Sequence, residues 1–353
     1  MPRPRRPHRV VDIATQAGLS RATVDRVLHG RDGVRPETVA QVDRAVAELD
    51  RQRSQVHLSG TSLILDLVMQ APDRFTSASR AALESELRSV RPALLRTRCH
   101  LREQIDPHAA VELLDAVARR GSDGVILKAP DDPAVRDAIA RLADAGIPTI
   151  TYVTDLPASR RTAYVGVDNR SAGATAAYLV SGWAGPTGRV LVTESSSTSH
   201  GEREREVGFR ATLAQLAPER RIVEVTDTDG VDSTMLEAVR EVLRAHGPVD
   251  AVYSVGGGNL ATLRALEEAG TTPVVFVAHD LDDDNRGLLR RRRISAVLHH
   301  DLRADMRRAC RLLLQARGHL PGSPVTVPSQ VQVVTPYNEP AGLLGEQPTD
   351  GPG

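Results

Sequence analysis

The sequence predicts an α/β protein in which a small all-α head precedes a two-lobed body with doubly wound parallel sheets. Two short amphipathic stretches separated by a glycine lie near the start of the chain, within residues 10–30. Apolar runs without alternation then recur between amphipathic stretches, which is typical of parallel strands covered by helices on both faces. This rhythm runs once up to residue 152 and restarts at residue 170, so we expect two lobes of similar size.

Composition narrows the functional classes. The 353 residues are 41% hydrophobic and 25% charged, as in globular proteins. The formal net charge is +0, but arginine is in excess within residues 1–60, which suits local contact with phosphates. No run approaches the length of a membrane span and no secretion signal is recognisable, so we expect a cytoplasmic protein. Cys99 and Cys310 lie far apart, which fits a reducing compartment and predicts no metal site.

The stretch 10–30 predicts two helices joined by a tight turn. Gly18 can adopt the left-handed conformation that ends a helix, and Ser20 can cap the next helix with its hydroxyl. Apolar residues recur at helical spacing on one side of each helix, at Val11, Ile13, Ala14 and Ala17 and then at Val24, Val27 and Leu28. The opposite side of the second helix carries Arg21, Ala22, Asp25 and Arg26. A helix-turn-helix needs this arrangement to enter a DNA major groove.

A third helix is predicted from Pro36 to about Asp50, which completes a DNA-binding domain over residues 10–50. Residues 1–9 form a basic arm that we expect to be disordered; it is either a solvated tail or a DNA-contacting arm. Residues 51–60 carry little core signal and are interpreted as a linker or a candidate hinge helix.

The body is predicted over residues 61–338, followed by a disordered tail at 339–353. The predicted strands are 61–69, 93–100, 124–127, 147–152, 189–194, 221–226, 250–255, 273–278 and 294–298. The predicted helices are 76–90, 107–120, 133–145, 170–183, 203–217, 232–246, 259–268, 284–291 and 301–317. We expect lobe 1 to include about residues 61–165 and 301–327. Lobe 2 is expected to include about residues 166–300 and 328–338. Strand ends of two such lobes face each other across a cleft, the usual place for a small ligand.

These features resemble the LacI (lactose repressor) family of bacterial transcription regulators, whose effector domain is similar to periplasmic sugar-binding proteins of the ribose-binding type. The head motifs are Asp12-Ile13-Ala14, Ala17-Gly18-Leu19-Ser20, Ala22-Thr23-Val24, Arg26-Val27-Leu28, Gly30 and Glu37-Thr38. The body motifs are Asp123-Gly124-Val125-Ile126, Ala145-Gly146-Ile147-Pro148, Tyr164-Val165-Gly166-Val167-Asp168-Asn169, Gly173, Glu202-Arg203 and Gly208-Phe209. The resemblance covers about residues 10–335 and implies a homodimer that reads a near-palindromic operator, with an affinity set by a small molecule in the cleft.

The resemblance places Arg21 and Ala22 at base edges, with Arg26 about one turn further on. An arginine can bind guanine through two hydrogen bonds, although Arg21 could instead contact a phosphate. Ser20 and Thr23 are expected to contact phosphates and so to position the helix without reading sequence.

Two positions depart from the family pattern. Asp25 replaces the usual serine, and an acid there can accept a hydrogen bond from cytosine. The Tyr-x-Pro-Asn that usually follows the third helix is missing, and Leu58 is the only good candidate for the leucine that the family inserts into the minor groove.

In the cleft, the resemblance implies that Arg203 clamps sugar hydroxyls and that Asp280 accepts hydrogen bonds from them. His300 occupies a position where many relatives carry glutamine, and Phe75 could stack on a sugar ring. Asp155 lies near the place of a family ligand acid, within one or two positions.

Each of these side chains also has a structural interpretation. Arg203 could pair with Glu204 or Glu206, Asp280 could cap a helix, His300 could be a satisfied hinge histidine, and Phe75 could belong to the core. The loop Gly256-Gly257-Gly258-Asn259 follows a strand and is interpreted as a cleft loop, with Ser254 or Asn259 as a ligand contact.

The sequence favours a regulator over an enzyme. The G-x-G-x-x-G of a dehydrogenase and the G-x-S-x-G of a hydrolase are missing, so we expect no catalytic residue, cofactor or metal. The main hypothesis is a DNA-binding repressor controlled by a small sugar or sugar-like effector. The alternative is a sugar sensor that acts through protein partners and carries a degenerate DNA-binding head.

Overall fold

The computed structural model describes residues 8–31, 33–58, 62–87, 94–103, 106–195, 199–228 and 232–340. The predicted disordered arm therefore lies mostly outside the described residues, as does the tail beyond residue 340. Within the described part the fold is the one predicted, a helical head followed by two α/β lobes.

The head consists of α1 (Val10–Ala17), α2 (Arg21–Leu28) and α3 (Pro36–Leu58). Its core is formed by Ile13, Ala14, Ala17, Val24, Val42 and Ala45. Gly18 ends α1 with a φ of 64°, and the Ser20 hydroxyl accepts a hydrogen bond from the backbone N–H of Thr23 at 3.1 Å, so both predicted signals of the turn are confirmed. From α3, Gln41 donates to the Ala17 carbonyl at 2.7 Å, which fixes the end of α1.

The third helix is longer than predicted. It continues without a break to Leu58, so residues 51–58 are part of α3 and no separate linker or hinge helix precedes that point. The sequence gives the physical reason, because these residues include neither glycine nor proline and mostly favour helix.

The first lobe has a five-stranded parallel sheet in the order β2-β1-β3-β4-β5. Its strands are β1 (Ser62–Gln70), β2 (Leu94–Arg102), β3 (Gly124–Lys128), β4 (Thr149–Tyr152) and β5 (Ala163–Val165). Its helices are α4 (Asp73–Leu87), α5 (Pro107–Arg120) and α6 (Pro133–Asp144). Asp106 and Asp132 cap α5 and α6, each of which begins with proline.

The second lobe has a six-stranded sheet in the order β11-β10-β9-β8-β6-β7. Its strands are β6 (Arg189–Thr193), β7 (Arg221–Val225), β8 (Ala251–Ser254), β9 (Val275–His279), β10 (Ala296–His299) and β11 (Gln332–Val334). Its helices are α7 (Asn169–Ala184), α8 (His200–Leu216), α9 (Asp232–His246), α10 (Asn259–Glu268) and α11 (Asp283–Arg290). The last helix, α12 (Leu302–Ala316), contributes Leu302, Met306 and Leu313 to the core of the first lobe.

Two strands were not predicted. The strand β5 is only three residues long, although all three are buried, and β11 is equally short and pairs antiparallel with β10. Neither run is long enough to show a periodicity.

The chain passes between the sheets three times. It passes from the first lobe to the second after β5, returns to the first lobe after β10, and passes to the second lobe again before β11. The first and third crossings touch, since the N–H of Ser329 donates to the Gly166 carbonyl at 2.8 Å and Val167 pairs with Ser329. Beyond β11, the prediction that the tail is disordered from residue 339 is wrong at its start. Glu339 forms ion pairs with Arg286 and Arg290 of α11 at 2.7 and 2.9 Å.

Candidate DNA-binding head and ligand cleft

The second helix of the head shows one apolar and one polar side. Val24 is fully buried against α1 and α3, whereas Arg21, Ala22 and Arg26 are exposed. Thr23 at the start of the helix is half-buried. The described head therefore presents the predicted DNA-reading side chains to solvent along one face of α2.

Asp25 is held within the helix. Its carboxylate lies 3.1 Å from Nδ1 of His29 one turn further on and 3.9 Å from Arg31. These neighbours offset part of the repulsion that an acid on this face exerts on phosphates. The side chain of Leu58, the predicted minor-groove residue, lies outside the described residues.

The cleft lies between the lobes, at the carboxyl ends of strands from both sheets. Pro72 follows β1 and Thr154 follows β4 on one side, while Ser195 follows β6 and Asp280 follows β9 on the other. The empty space is about 640 Å³, part of it open to solvent. Clefts beyond the carboxyl ends of parallel strands are where such folds usually bind small ligands.

Of the two arginines at the start of α8, Arg205 lines the cleft, whereas Arg203, the residue chosen from the sequence, does not. Arg205 is buried, donates from Nε to Oδ1 of Asn169 at 2.7 Å and from Nη1 to the Val255 carbonyl at 2.9 Å, and lines the cleft. Arg203 is exposed at the rim, where it contacts Asp131 at 3.3 Å. The two residues are half a helical turn apart on α8, so only one of them can face the cleft.

Asp280 lines the cleft, as the resemblance implied. Its backbone has a φ of 63°, which is uncommon for a residue other than glycine. Its carboxylate lies 3.9 Å from Arg205 on one side and 3.8 Å from His300 on the other. Asp280 does not cap the following helix. Asp282 caps α11 instead, because its carboxylate accepts a hydrogen bond from the N–H of Asn285.

His300 lies behind Asp280 and does not line the cleft. It is 1% exposed, and its Nδ1 is bound to the carboxylate of Asp305 on α12. The other oxygen of Asp305 accepts from the hydroxyl of Ser329. Burial alone lowers the pKa of His300, but the hydrogen bond and charge of Asp305 outweigh it, so the pKa is raised. His300 is thus a histidine at the crossing between the lobes that is bound to Asp305 and lies behind the cleft carboxylate of Asp280.

Phe75 both packs in the first core and lines the cleft, at 8% exposure. Asp155 does not line the cleft, and its assignment is corrected. Its carboxylate accepts hydrogen bonds from the hydroxyl of Thr151 at 2.7 Å and from Arg161 at 2.6 Å. These hydrogen bonds give Asp155 a structural role in the loop after β4.

Gly256 and Gly257 line the cleft, whereas Ser254 and Asn259 do not, which corrects both assignments. Ser254 is fully buried, and its hydroxyl donates to the Gly257 carbonyl. Asn259 donates at 2.7 Å to the side chain of Asn285, which lines the cleft in its place.

Sequence reasoning missed several polar groups of the cleft. Arg74 forms an ion pair with Asp282 at 2.8 Å, and burial raises the pKa of Asp282 to about 6. Glu202 accepts from the backbone N–H of Ser195 at 2.8 Å and from its hydroxyl. Further lining residues are His279, whose pKa burial lowers well below the usual range, and Lys128.

Two residues of the cleft, Arg205 and Lys128, could have been found from patterns in the sequence. The family region that the resemblance used to place Arg203 has the pattern Arg-x-x-Gly-Phe, and Arg205-Glu206-Val207-Gly208-Phe209 meets this pattern, which selects Arg205 directly. Lys128 is the only lysine of the chain and follows the apolar strand Gly124-Val125-Ile126-Leu127. A charged residue at the carboxyl end of a buried parallel strand points to a site.

The fold and the site define a class of protein, a helix-turn-helix DNA-binding head joined to a two-lobed ligand-binding body. Family comparison agrees over both parts. Residues 10–54 match the model for bacterial regulatory proteins of the lacI family, and residues 70–319 match the periplasmic binding protein domain. Over most of its length the chain therefore belongs to the periplasmic binding protein domain family, and its head carries a DNA-binding domain of the lacI family of bacterial regulatory proteins.

Two curated relatives are similar to parts of the chain. The ribose import binding protein RbsB of Escherichia coli is 24% identical over 199 residues, which are 56% of this chain and 67% of that protein. The HTH-type transcriptional regulator KdgR of Bacillus subtilis is 26% identical over 153 residues, 42% of this chain and 43% of KdgR. The match thus spans less than half the length of that regulator.

Solved structures support the fold of the body. The glucose-galactose binding protein GanP of Geobacillus stearothermophilus aligns with a TM-score of 0.71 at 20% identity, over 79% of this chain and 99% of GanP. A solute-binding protein from Burkholderia graminis in complex with D-arabinose gives a TM-score of 0.71 at 22% identity, over 80% of this chain and 97% of that protein.

None of the described helices is long and apolar enough to cross a bilayer.

Proposed function

We propose that this protein is a transcription repressor whose affinity for operator DNA is set by a small sugar or sugar derivative bound between the lobes. The observation that carries the proposal is the combination, in one chain, of an exposed reading face on α2 with a polar cleft of about 640 Å³. A homodimer would place two heads on a pseudo-palindromic site. The protein would act in the cytoplasm, where its DNA lies.

The sugar class is supported by the chemistry of the cleft and by the relatives. Sugar hydroxyls require planar charged and amide groups beside an apolar face, and Arg205, Asp280, Asn285 and Phe75 offer this set. Among the relatives, RbsB is named for ribose import and GanP for glucose and galactose.

The switch would be a change in lobe angle. The three crossings meet beside Asp305 and Ser329, and Asp280 lies next to them. A ligand that binds one lobe angle better than the other shifts the population towards it. A typical coupling of about 1–3 kcal/mol would change operator affinity about 5- to 150-fold.

The test combines DNA selection with ligand screening. Selection of bound sequences from a random duplex pool should yield a pseudo-palindromic site, and a sugar panel should include a compound that changes the affinity for that site. No enriched site from a folded, dimeric protein would overturn the proposal and favour a sensor that acts through protein partners.

A further inference from the structure

Lys128 distinguishes this cleft from the rest of the molecule. It is the only lysine among the 45 lysine and arginine residues of the chain. It stands at the carboxyl end of β3, paired in register with Met69 of β1, and lies deep in the cleft. All the others in that set are arginine, so Lys128 provides the only primary-amine side chain of the sequence.

The Lys128 ammonium forms no direct ion pair with a described residue, although the charges of Glu202 and Asp280 in the same cleft act on it. Its Nζ donates to the Gln70 carbonyl at 2.8 Å, and no carboxylate oxygen of the described residues lies within 4 Å of it. An ammonium group has three donors, so this bond leaves two. Burial lowers the pKa of Lys128, while the charges of Glu202 and Asp280 act in the opposite direction.

The other cationic side chains of the cleft, Arg74 and Arg205, already have partners within the protein. Arg74 lies 2.8 Å from the Asp282 carboxylate, and Arg205 is held by Asn169 and the Val255 carbonyl. Lys128 also touches a second, adjoining space, whose lining includes Gln70, Ala129 and Pro130 and the acids Glu103 and Glu202. A ligand that fills the cleft can therefore extend a substituent towards Lys128 without displacing an existing ion pair.

On the basis of the proposed function, we infer that the effector carries an anionic group, a carboxylate or a phosphate, which binds the ammonium of Lys128. An acidic sugar would place its ring beside Phe75 and Arg205 and its charged substituent at the end of β3. A charge-assisted hydrogen bond is among the stronger polar contacts, and the ligand would supply the direct contact with Lys128 that Glu202 and Asp280 do not make. A neutral sugar would leave the cation unpaired.

The test measures binding of matched compounds by calorimetry. The panel contains D-glucose, D-gluconate and D-glucose 6-phosphate, with D-ribose, D-ribonate and D-ribose 5-phosphate as the pentose series. We expect an acid to bind more tightly than its neutral parent, and the acid that binds tells carboxylate from phosphate. Lys128→Met should weaken that binding by about tenfold or more. Arg203→Met, which removes a charge at the rim, should leave it within about twofold.

Two further readouts separate binding from folding. Lys128→Met should leave the melting temperature of the ligand-free protein close to that of wild type, because Lys128 is half-buried and no direct ion pair with a described residue is lost. Since the chain has one lysine, labelling with [6-¹³C]lysine gives one side-chain resonance, which should shift when the acid binds.

The outcomes distinguish this inference from the proposed function. A neutral sugar that binds wild type and Lys128→Met equally, with the lysine resonance unmoved, overturns the inference and leaves a sugar-controlled regulator. A panel in which no compound binds contradicts both the inference and the sugar class. DNA selection then decides separately whether the protein is a regulator.

Discussion

The Nε2 atom of His300 lies 3.8 Å from Oδ1 of Asp280, and neither atom has a hydrogen-bond partner in the described part of the protein. Asp280 faces the cleft, and the other ring nitrogen of His300 is bound to Asp305 on α12. A short movement would close the gap to hydrogen-bonding distance. One histidine therefore stands between the cleft carboxylate and the crossings that join the lobes.

This arrangement predicts a pH-dependent contribution to stability. Asp305 holds the pKa of His300 above its usual 6.5, so protonated His300 stabilises the fold below pH 6.5, and this contribution is lost as the pH rises through the raised pKa. We expect His300→Gln to lower the free energy of unfolding more at pH 6 than at pH 9, as measured by urea denaturation.

The neighbouring histidine provides the control. Burial lowers the pKa of His299 to about 4, so this residue destabilises the fold as the pH falls below 6.5. His299→Gln should therefore become relatively more stable at pH 5 than at pH 8, the opposite trend. Equal losses for His300→Gln at pH 6 and pH 9 would contradict the ion pair.

A second prediction concerns the two arginines of α8. Arg205→Gln removes a buried guanidinium that bonds Asn169 and the Val255 carbonyl and faces Asp280. We expect effector affinity to fall at least tenfold, since hydrogen bonds to charged groups contribute about 1.5–3 kcal/mol. Arg203→Gln, two residues earlier and exposed, should change the affinity less than about threefold. Calorimetry with the effector measures both, and a larger loss for Arg203→Gln would reverse the assignment.

Most of the fold could be predicted because its signals are local. The apolar run of β1, glycine at position 18 and the cap at Ser20 act within a few residues. The short strand β5 could not be predicted, because three buried residues carry no period and its place depends on pairing with β4.

The site was predictable only in part, because facing the cleft depends on helix phase and loop path. Phe75 and Asp280 line the cleft and stay predictions as ligand contacts, whereas a shift of two positions from Arg203 to Arg205 turns the side chain from solvent into the cleft. Asp155 lies near the cleft in sequence only, since Arg161 binds it in the loop after β4. Such pairings join side chains that no sequence pattern links.

A third prediction tests the close contact between α7 and α8. A Cβ at Gly173 would overlap the backbone carbonyl of Arg205, well inside contact distance. Gly173→Ala should therefore destabilise the protein by about 1–3 kcal/mol and weaken effector binding through displacement of Arg205. On the same helix, nothing lies within 4 Å of a Cβ at Gly182, so Gly182→Ala should stabilise the helix by about 0.5–1 kcal/mol. Thermal unfolding of the two variants checks both signs.

The last prediction decides how Arg21 contacts DNA. Its side chain is exposed at the start of α2, beside the cap formed by Ser20. If Arg21 reads a guanine, Arg21→Ala should cost about 1–3 kcal/mol at the selected site and relax the preference at one base pair of each half-site. If it contacts a phosphate, binding to all sequences should weaken alike, and the slope of log affinity against log salt should fall by about 1.

The two cases are separated by titrating the selected operator, and a series of single-base variants of it, with wild type and Arg21→Ala at several salt concentrations. The matched control is Arg264→Ala on α10, an exposed arginine outside the head whose removal should leave both specificity and salt slope unchanged. Arg21→Ala that retains wild-type affinity, specificity and salt slope would exclude Arg21 from the DNA interface. In that case another exposed side chain of α2, with Arg26 the first to test, would have to read the operator.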